Sequence, residues 1–299
     1  MAVWALLGYT SILSFPGIHH PARGIHACQG GESSKQGINV LSLKISVRLA
    51  SLRQPFKKAL RTAASLGAQA VEIDARTEVQ PAEITASGIR HLRKTIADFN
   101  LKVAAVSFRT RNGYHVLENL DRRIEATKQA MQFAFQLGTN VVINQVGQVP
   151  QETDDPQWET LVQALADLGR YGQHVGTFLT AGTGSESGPD LKRLIDALPE
   201  GLLAVNLDPG NLVINGFSAS EAARVLAPYV HHVHARDAMR DLARGRGLEV
   251  PLGSGTVDFP ELLGILEEHR YGGYLTIDRQ GSDNAVTEVA QAIQFLNSM

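Results

Sequence analysis

The chain has 299 residues, of which 43% are hydrophobic and 19% charged, and a formal net charge of −2. This composition suits a globular protein with a sizeable core, and the near-neutral charge argues against nucleic acid as a general partner. A single cysteine, Cys28, excludes an intrachain disulfide framework, and no apolar run is long enough to cross a bilayer. We therefore expect a cytoplasmic protein with neither nucleic-acid nor membrane partners.

The segment 1–42 differs in composition from the rest of the chain. It is rich in Gly, Ser and His, and it contains one apolar stretch at 3–18. No Lys or Arg precedes this stretch, and Pro16 and Arg23 interrupt the path to a small-residue cleavage site. We predict a disordered or non-native leader at 1–42, with an export signal as the alternative, and a domain at 43–299.

From residue 43 onward, short apolar runs alternate eight times with longer stretches of helical periodicity. The apolar runs are typical of strands buried on both faces, and they lie at 43–49, 68–74, 101–108, 140–145, 175–181, 203–208, 230–234 and 273–278. The helical stretches lie at 56–66, 84–99, 122–137, 158–171, 191–198, 221–227, 260–269 and 286–296. Gly67 and Gly138 follow helical stretches, where a left-handed residue is favoured, and Ser218 and Asp258 occupy N-cap positions.

Eight strand–helix units predict an α/β fold, a single-domain (β/α)₈ TIM barrel. A doubly wound open sheet is the alternative, but no Gly-rich dinucleotide turn follows the first predicted strand. In a barrel, active sites form at the carboxyl-terminal ends of the strands and in the loops that follow them. Polar residues at these positions are therefore the candidates for function.

Three consecutive predicted strands, the sixth to the eighth, end in residues of metal-ligand type: Asp208, His234 and Asp278. Two carboxylates and one imidazole suit Mn²⁺, Mg²⁺, Co²⁺ or Zn²⁺. The alternative is that each carboxylate only caps a turn, and Asp208 in the sequence Asp-Pro-Gly-Asn has turn residues around it. His232 shares a strand face with His234, and we expect it to have a structural role.

The second predicted strand also ends in carboxylates, Glu72 and Asp74. These could act as a general acid or base. The simpler reading is an internal ion pair with Arg48, Arg76 or Arg109, and we expect the ion pair.

Five motifs, taken in order, resemble the xylose-isomerase-like barrels, and more narrowly their sugar phosphate isomerase/epimerase branch. They are VEID at 71–74, NLDPGN at 206–211, HVHARD at 232–237, the segment 251–259, and GYLTID at 273–278. The resemblance implies a divalent metal held by Glu, Asp, His and Glu after strands five to eight. Asp208, His234 and Asp278 match the last three positions. Gly182 stands at the first position, that of the Glu after strand five. The alternative ligand there is Glu186, four residues further on.

The resemblance also implies roles in substrate binding and catalysis. Arg240 matches an Arg that contacts substrate oxygens, and Asn211 stands where the epimerases have a substrate-binding His. Asp278 takes the place of a Glu that exchanges the substrate proton, with a side chain one methylene shorter. We therefore predict Asp278 as catalytic, and Arg240 and Asn211 as substrate-binding.

These residues predict a divalent-metal-assisted isomerase or epimerase of a small sugar, sugar phosphate or cyclic polyol, working through an enediolate. The alternative is a barrel that has lost its metal site and its catalysis, and acts as a sugar-binding or regulatory module. Gly182 motivates that alternative. An endonuclease-IV-like nuclease is a third reading, but the net charge and the few His residues at strand ends argue against it.

Overall fold

A closed barrel of eight parallel strands forms the centre of the fold, as the sequence predicts. The computed structural model describes residues 43–241 and 246–299, so the predictions for 1–42 lie outside the described residues. The barrel strands are β1 (Lys44–Arg48), β2 (Ala70–Asp74), β3 (Lys102–Ser107), β4 (Val141–Asn144), β5 (Phe178–Gly182), β6 (Ala204–Leu207), β7 (Val230–Ala235) and β10 (Tyr274–Ile277). The barrel closes where β1 pairs with both β2 and β10.

Helices follow the strands around the outside of the barrel. They are α1 (Phe56–Ser65), α2 (Ala86–Asp98), α3 (Leu120–Leu137), α4 (Pro156–Val175), α5 (Gly188–Asp196), α6 (Pro209–Ile214), α7 (Ala219–Leu226), α8 (Phe259–Glu268) and α9 (Ala285–Asn297). The predicted N-caps are confirmed, because the side chains of Ser218 and Asp258 accept hydrogen bonds from the backbone N–H groups of Glu221 and Glu261. None of the described helices is long and apolar enough to span a bilayer.

The sequence patterns do not predict one short helix and one hairpin of the described structure. The short helix α6 directly follows β6, and a hairpin of β8 (Asp237–Met239) and β9 (Leu248–Val250) lies between β7 and α8. Helix α5 also begins three residues earlier than its periodicity predicts, because Ser187 caps it and Pro189 occupies its first turn. These elements shape the loops at the carboxyl-terminal end of the barrel.

Alternation along the strands separates an apolar outer layer from a partly polar interior. In β6, Val205 and Leu207 join the main hydrophobic core, which strands and helices build together. Asn206, between them, is buried and hydrogen-bonds His232 and His234 of β7. The period of two therefore puts polar side chains inside the barrel, up to the carboxyl-terminal ends of its strands, which form the mouth of the barrel.

Candidate active site

The predicted ligand residues Asp208, His234 and Asp278 lie together at the mouth of the barrel. Asp208 and Asp278 directly follow β6 and β10, and His234 is the second-last residue of β7; these three strands are neighbours in the barrel. One ligand atom from each residue lies within 4.8 Å of the others. All three side chains are buried, with 2–3% of each residue exposed, so their charges act in a medium of low dielectric constant.

His234 is held between carboxylates from two other strands. Its Nε2 lies 2.7 Å from Glu72 Oε2, and its Nδ1 lies 3.6 Å from Asp208 Oδ2. Burial by itself lowers the pKa of His234, but the two carboxylates outweigh it and raise the pKa to about 9. Burial likewise opposes ionisation of Glu72, yet His234 and Arg48 lower the pKa of Glu72 to about 2.

Arg48, at the end of β1, contacts three carboxylates with its three guanidinium nitrogens. Nη1 lies 3.2 Å from Asp278 Oδ1, Nη2 lies 3.1 Å from Asp74 Oδ2, and Nε lies 3.2 Å from Glu72 Oε1. The Nε contact is an ion pair outside hydrogen-bond geometry. The predicted ion pairs of Glu72 and Asp74 are therefore confirmed, with Arg48 as the partner of both.

Asp278 is stabilised in its ionised form from several sides. Ser51 Oγ donates to its Oδ1 at 3.2 Å, and Gln280 Nε2 donates to its Oδ2 at 2.9 Å. Burial opposes the charge, but Arg48 and the other nearby cations lower the pKa of Asp278 well below its usual range. Arg109, whose side chain is 37% exposed, places Nη2 4.0 Å from Asp278 Oδ2 and is the more accessible cation at this carboxylate.

Asp208 is paired with a second buried guanidinium, that of Arg236. Arg236 Nη1 lies 3.0 Å from Asp208 Oδ2, and Arg236 Nη2 lies 3.5 Å from Glu249 Oε2 in the hairpin. The other oxygen of Asp208 accepts the backbone N–H of Asn211 at 2.8 Å and so caps α6. Asp208 is thus both a turn cap and a member of the cluster. Arg236 lowers its pKa against the effect of burial.

The strand-five position is open at Gly182. Gly182 ends β5 and pairs with Asn206, and a Cβ added there would meet Asn144 O at 3.6 Å and Asn206 Nδ2 at 3.8 Å, which are ordinary contacts. Glu186 does not fill this position. It lies in the loop before α5. Two groups among the described residues have metal-ligand geometry, Asp208 with His234 and Asp278, and Glu72 with His232 and His234, and neither includes Glu186.

The two predicted substrate-binding residues are engaged with the backbone near the mouth. Asn211 Nδ2 donates to Thr183 O at 2.7 Å, and Arg240 Nη2 donates to Gly216 O at 2.7 Å. The Arg240 side chain is exposed and leans toward the end of α6. Their substrate-binding roles stay predictions.

Residues 60–299 match the family described as the xylose isomerase-like TIM barrel. The chain belongs to this family. An inosose dehydratase from Clostridium perfringens is 25% identical over 159 residues, which are 47% of this chain and 53% of that protein. The chain thus spans about half the length of that relative.

Solved structures share the xylose isomerase-like fold. A xylose isomerase domain protein from Planctomyces limnophilus has a TM-score of 0.73 and 26% identity, and the match covers 80% of this chain and 91% of that one. A xylose isomerase-like TIM barrel from Mycobacterium smegmatis, solved in complex with magnesium, has a TM-score of 0.68 and 20% identity and covers 86% and 96% of the two chains. The second of these shows the fold alone.

The metal that the resemblance implies for this xylose isomerase-like barrel can be tested against the residues at the mouth. Asp208, His234 and Asp278 have the right donor chemistry and lie close enough together. The fourth ligand is missing at Gly182, and a buried guanidinium is paired with each of the two carboxylates. The set therefore does not fit a divalent ion held by four side chains.

Proposed function

We propose that this barrel is an enzyme that acts on a small sugar, sugar phosphate or cyclic polyol at its carboxyl-terminal mouth. The reaction is of the isomerase, epimerase or dehydratase type, at a carbon next to a carbonyl. The observation that carries this proposal is the convergence of Asp208, His234 and Asp278 at adjacent strand ends. The similarity to an inosose dehydratase supports the substrate class.

These reaction types begin alike, with removal of a proton from the carbon beside the carbonyl. That step needs an ionised base next to the carbon and positive charge near the oxygen, where negative charge develops. In our proposal Asp278 takes the proton, and Arg109 binds the oxygen because it is the accessible cation next to Asp278. His234 and Glu72 share a second proton in the same cluster.

Hydrogen–deuterium exchange tests the proposal without requiring net conversion. The protein is incubated in D₂O with ketoses, sugar phosphates and inososes, and deuterium uptake at carbon is followed by NMR. We expect uptake next to the carbonyl of at least one compound. In Asp278→Asn the uptake rate should be reduced at least about 100-fold, since a positioned base contributes about 10²–10⁴-fold.

The matched control is Asp98→Asn, which removes an exposed carboxylate of α2 that pairs with Lys94 outside the site. This control should exchange at the wild-type rate. If the folded wild type catalyses no exchange with any of these compounds, the enzymatic proposal fails.

A second function, a non-catalytic sugar-binding module, is favoured by two specific observations. Every guanidinium nitrogen of Arg48 already contacts a carboxylate, and Gly182 offers no general base. Saturation-transfer NMR on the same set of compounds separates the two functions. Binding of a compound without deuterium uptake would favour the module.

A further inference from the structure

We infer that Arg48 and Arg236 supply the positive charge at the mouth of this barrel, so that the site is assembled without a divalent metal ion. The inference concerns the same residues as the proposed function, and it rests on that function only in taking the mouth to be the ligand site. Its decisive test measures metal binding and stability, and not turnover.

The first reason is that the guanidiniums contact the oxygens a metal would need. Arg48 Nη1 lies 3.2 Å from Asp278 Oδ1, and Arg236 Nη1 lies 3.0 Å from Asp208 Oδ2. These carboxylates are two of the three side chains in the group of Asp208, His234 and Asp278, which could ligate one ion. A cation entering the cluster would have to displace both contacts or share its ligands with two positive charges.

The second reason is that both guanidiniums are themselves held by further carboxylates. Arg48 is 7% exposed and also contacts Glu72 and Asp74. Arg236 is 7% exposed and also contacts Glu249, which Arg279 Nη1 approaches at 3.2 Å from the other side. Removing either guanidinium from this network would leave buried carboxylates unpaired, which is strongly unfavourable.

The third reason is the glycine at strand five. With Gly182 at this position, a metal bound by Asp208, His234 and Asp278 would have no protein ligand from strand five. The space around Gly182 does not forbid a side chain, since an added Cβ makes only ordinary contacts. The missing ligand is therefore a property of the sequence and can be restored by mutation.

The decisive measurement is the metal content and metal affinity of the full-length wild type. We expect substoichiometric Mn²⁺ and Zn²⁺ by elemental analysis, no saturable binding by calorimetry, and the same thermal unfolding midpoint in EDTA and in Mn²⁺. One tightly bound ion per chain, or a midpoint lowered by EDTA, would overturn the inference.

A gain of metal binding on removal of a guanidinium gives a second, independent readout. Arg48→Met leaves Glu72, Asp74 and Asp278 without their shared cation, so we expect a lower unfolding midpoint that Mn²⁺ partly restores. Arg224→Met, which removes an exposed ion pair with Glu261 between α7 and α8, should show no response to Mn²⁺. A folded Arg48→Met variant whose unfolding midpoint does not change with Mn²⁺ would count against Arg48 as the cation that takes the place of the metal.

Restoring the strand-five carboxylate sharpens this readout. Gly182→Glu combined with Arg48→Met should bind Mn²⁺ more tightly than Arg48→Met alone. Gly182→Gln combined with Arg48→Met, which adds a side chain of equal size without charge, should not increase the Mn²⁺ affinity. If the Arg48 variants do not fold, the wild-type measurements still decide the inference. Deuterium exchange measured with and without EDTA separates the two proposals. Exchange that persists in EDTA supports both, and exchange lost only in EDTA overturns the inference. Exchange absent in both conditions defeats only the proposed function.

Discussion

Two histidines on one strand show how surroundings decide the role of a side chain. His232 and His234 lie on the same face of β7, as the period of two predicts. His232 hydrogen-bonds Asn206 Oδ1 and Thr276 Oγ1, both at 2.8 Å, and burial together with His234 lowers its pKa to about 3. His234 faces carboxylates instead. One imidazole is thus a neutral structural group, and the other belongs to the ionic cluster.

Glu186 provides a pH-dependent prediction at the residue scale, away from the ionic cluster. It is 5% exposed, its Oε2 has no hydrogen-bond partner among the described residues, and burial with nearby Asp190 raises its pKa from 4.5 to about 8. Between these pH values the folded chain keeps a proton that the unfolded chain releases. The contribution of Glu186 to the free energy of unfolding should therefore fall as pH rises, by up to about 1.4 kcal/mol per pH unit.

Glu186→Gln removes this loss of stability at higher pH, because the amide is neutral in both the folded and the unfolded chain. We expect the variant to be more stable than the wild type at pH 8 and similar to it near pH 4.5, as measured by urea unfolding. The exposed Glu200→Gln is the control. An equal pH dependence in Glu186→Gln and wild type would show that Glu186 is not held neutral in the fold.

At the scale of elements, the hairpin of β8 and β9 completes the ionic network. It places Glu249 beside Arg236, and β8 begins at Asp237, whose carboxylate accepts the backbone N–H groups of Gly253, Gly255 and Val257. Asp237 thus ties the loop after β9 to the end of β7. This hairpin, which strand periodicity alone does not reveal, links Arg236 through Glu249 to Arg279.

Two helical glycines give a matched pair of predictions about packing. In α4, a Cβ on Gly169 would collide with the carbonyl oxygen of Leu202 and lie 2.6 Å from its Cβ. Gly264 in α8 has nothing within 4 Å of an added Cβ. We expect Gly169→Ala to lower the free energy of unfolding by about 1–3 kcal/mol through overpacking, and Gly264→Ala to raise it by up to about 1 kcal/mol through helix propensity.

Urea or thermal unfolding of the two alanine variants checks this prediction. The comparison controls for the substitution itself, since both replace Gly by Ala inside a helix. Equal effects at the two positions would mean that helix propensity decides and that α4 does not pack closely on Leu202.

At the scale of the whole molecule, closure of the barrel is the feature that holds the site together. β1 begins at Lys44 and pairs along its length with β10, from Lys44 opposite Tyr274 to Val47 opposite Ile277. Arg48 at the end of β1 can reach Asp278 only because this pairing exists. The strands that close the barrel therefore also bring two charged residues of the site together.

We expect a chain shortened to 43–299 to fold with the unfolding midpoint of the full chain, because β1 and both of its pairing partners are retained. Circular dichroism melting of the two chains side by side checks this. A markedly lower midpoint of the shortened chain would show that 1–42 contributes to the stability of the barrel.

The sequence by itself determined the eight strand–helix units and the strand ends where polar residues gather. These follow from local periods of two and 3.6 residues, from caps such as Ser218 and Asp258, and from the known geometry of barrels. They are properties of neighbours in the chain, so a single sequence displays them.

Only the tertiary structure decided which charges meet. His234 and Glu72 are 162 residues apart in sequence, and Arg48 and Asp278 are 230 apart, yet each pair is in contact. The strand-end pattern shows that Asp208 and Asp278 converge, but it does not show that Arg236 and Arg48 pair with them. Such pairings depend on strand order, register and side-chain burial, which exist only once the barrel has closed.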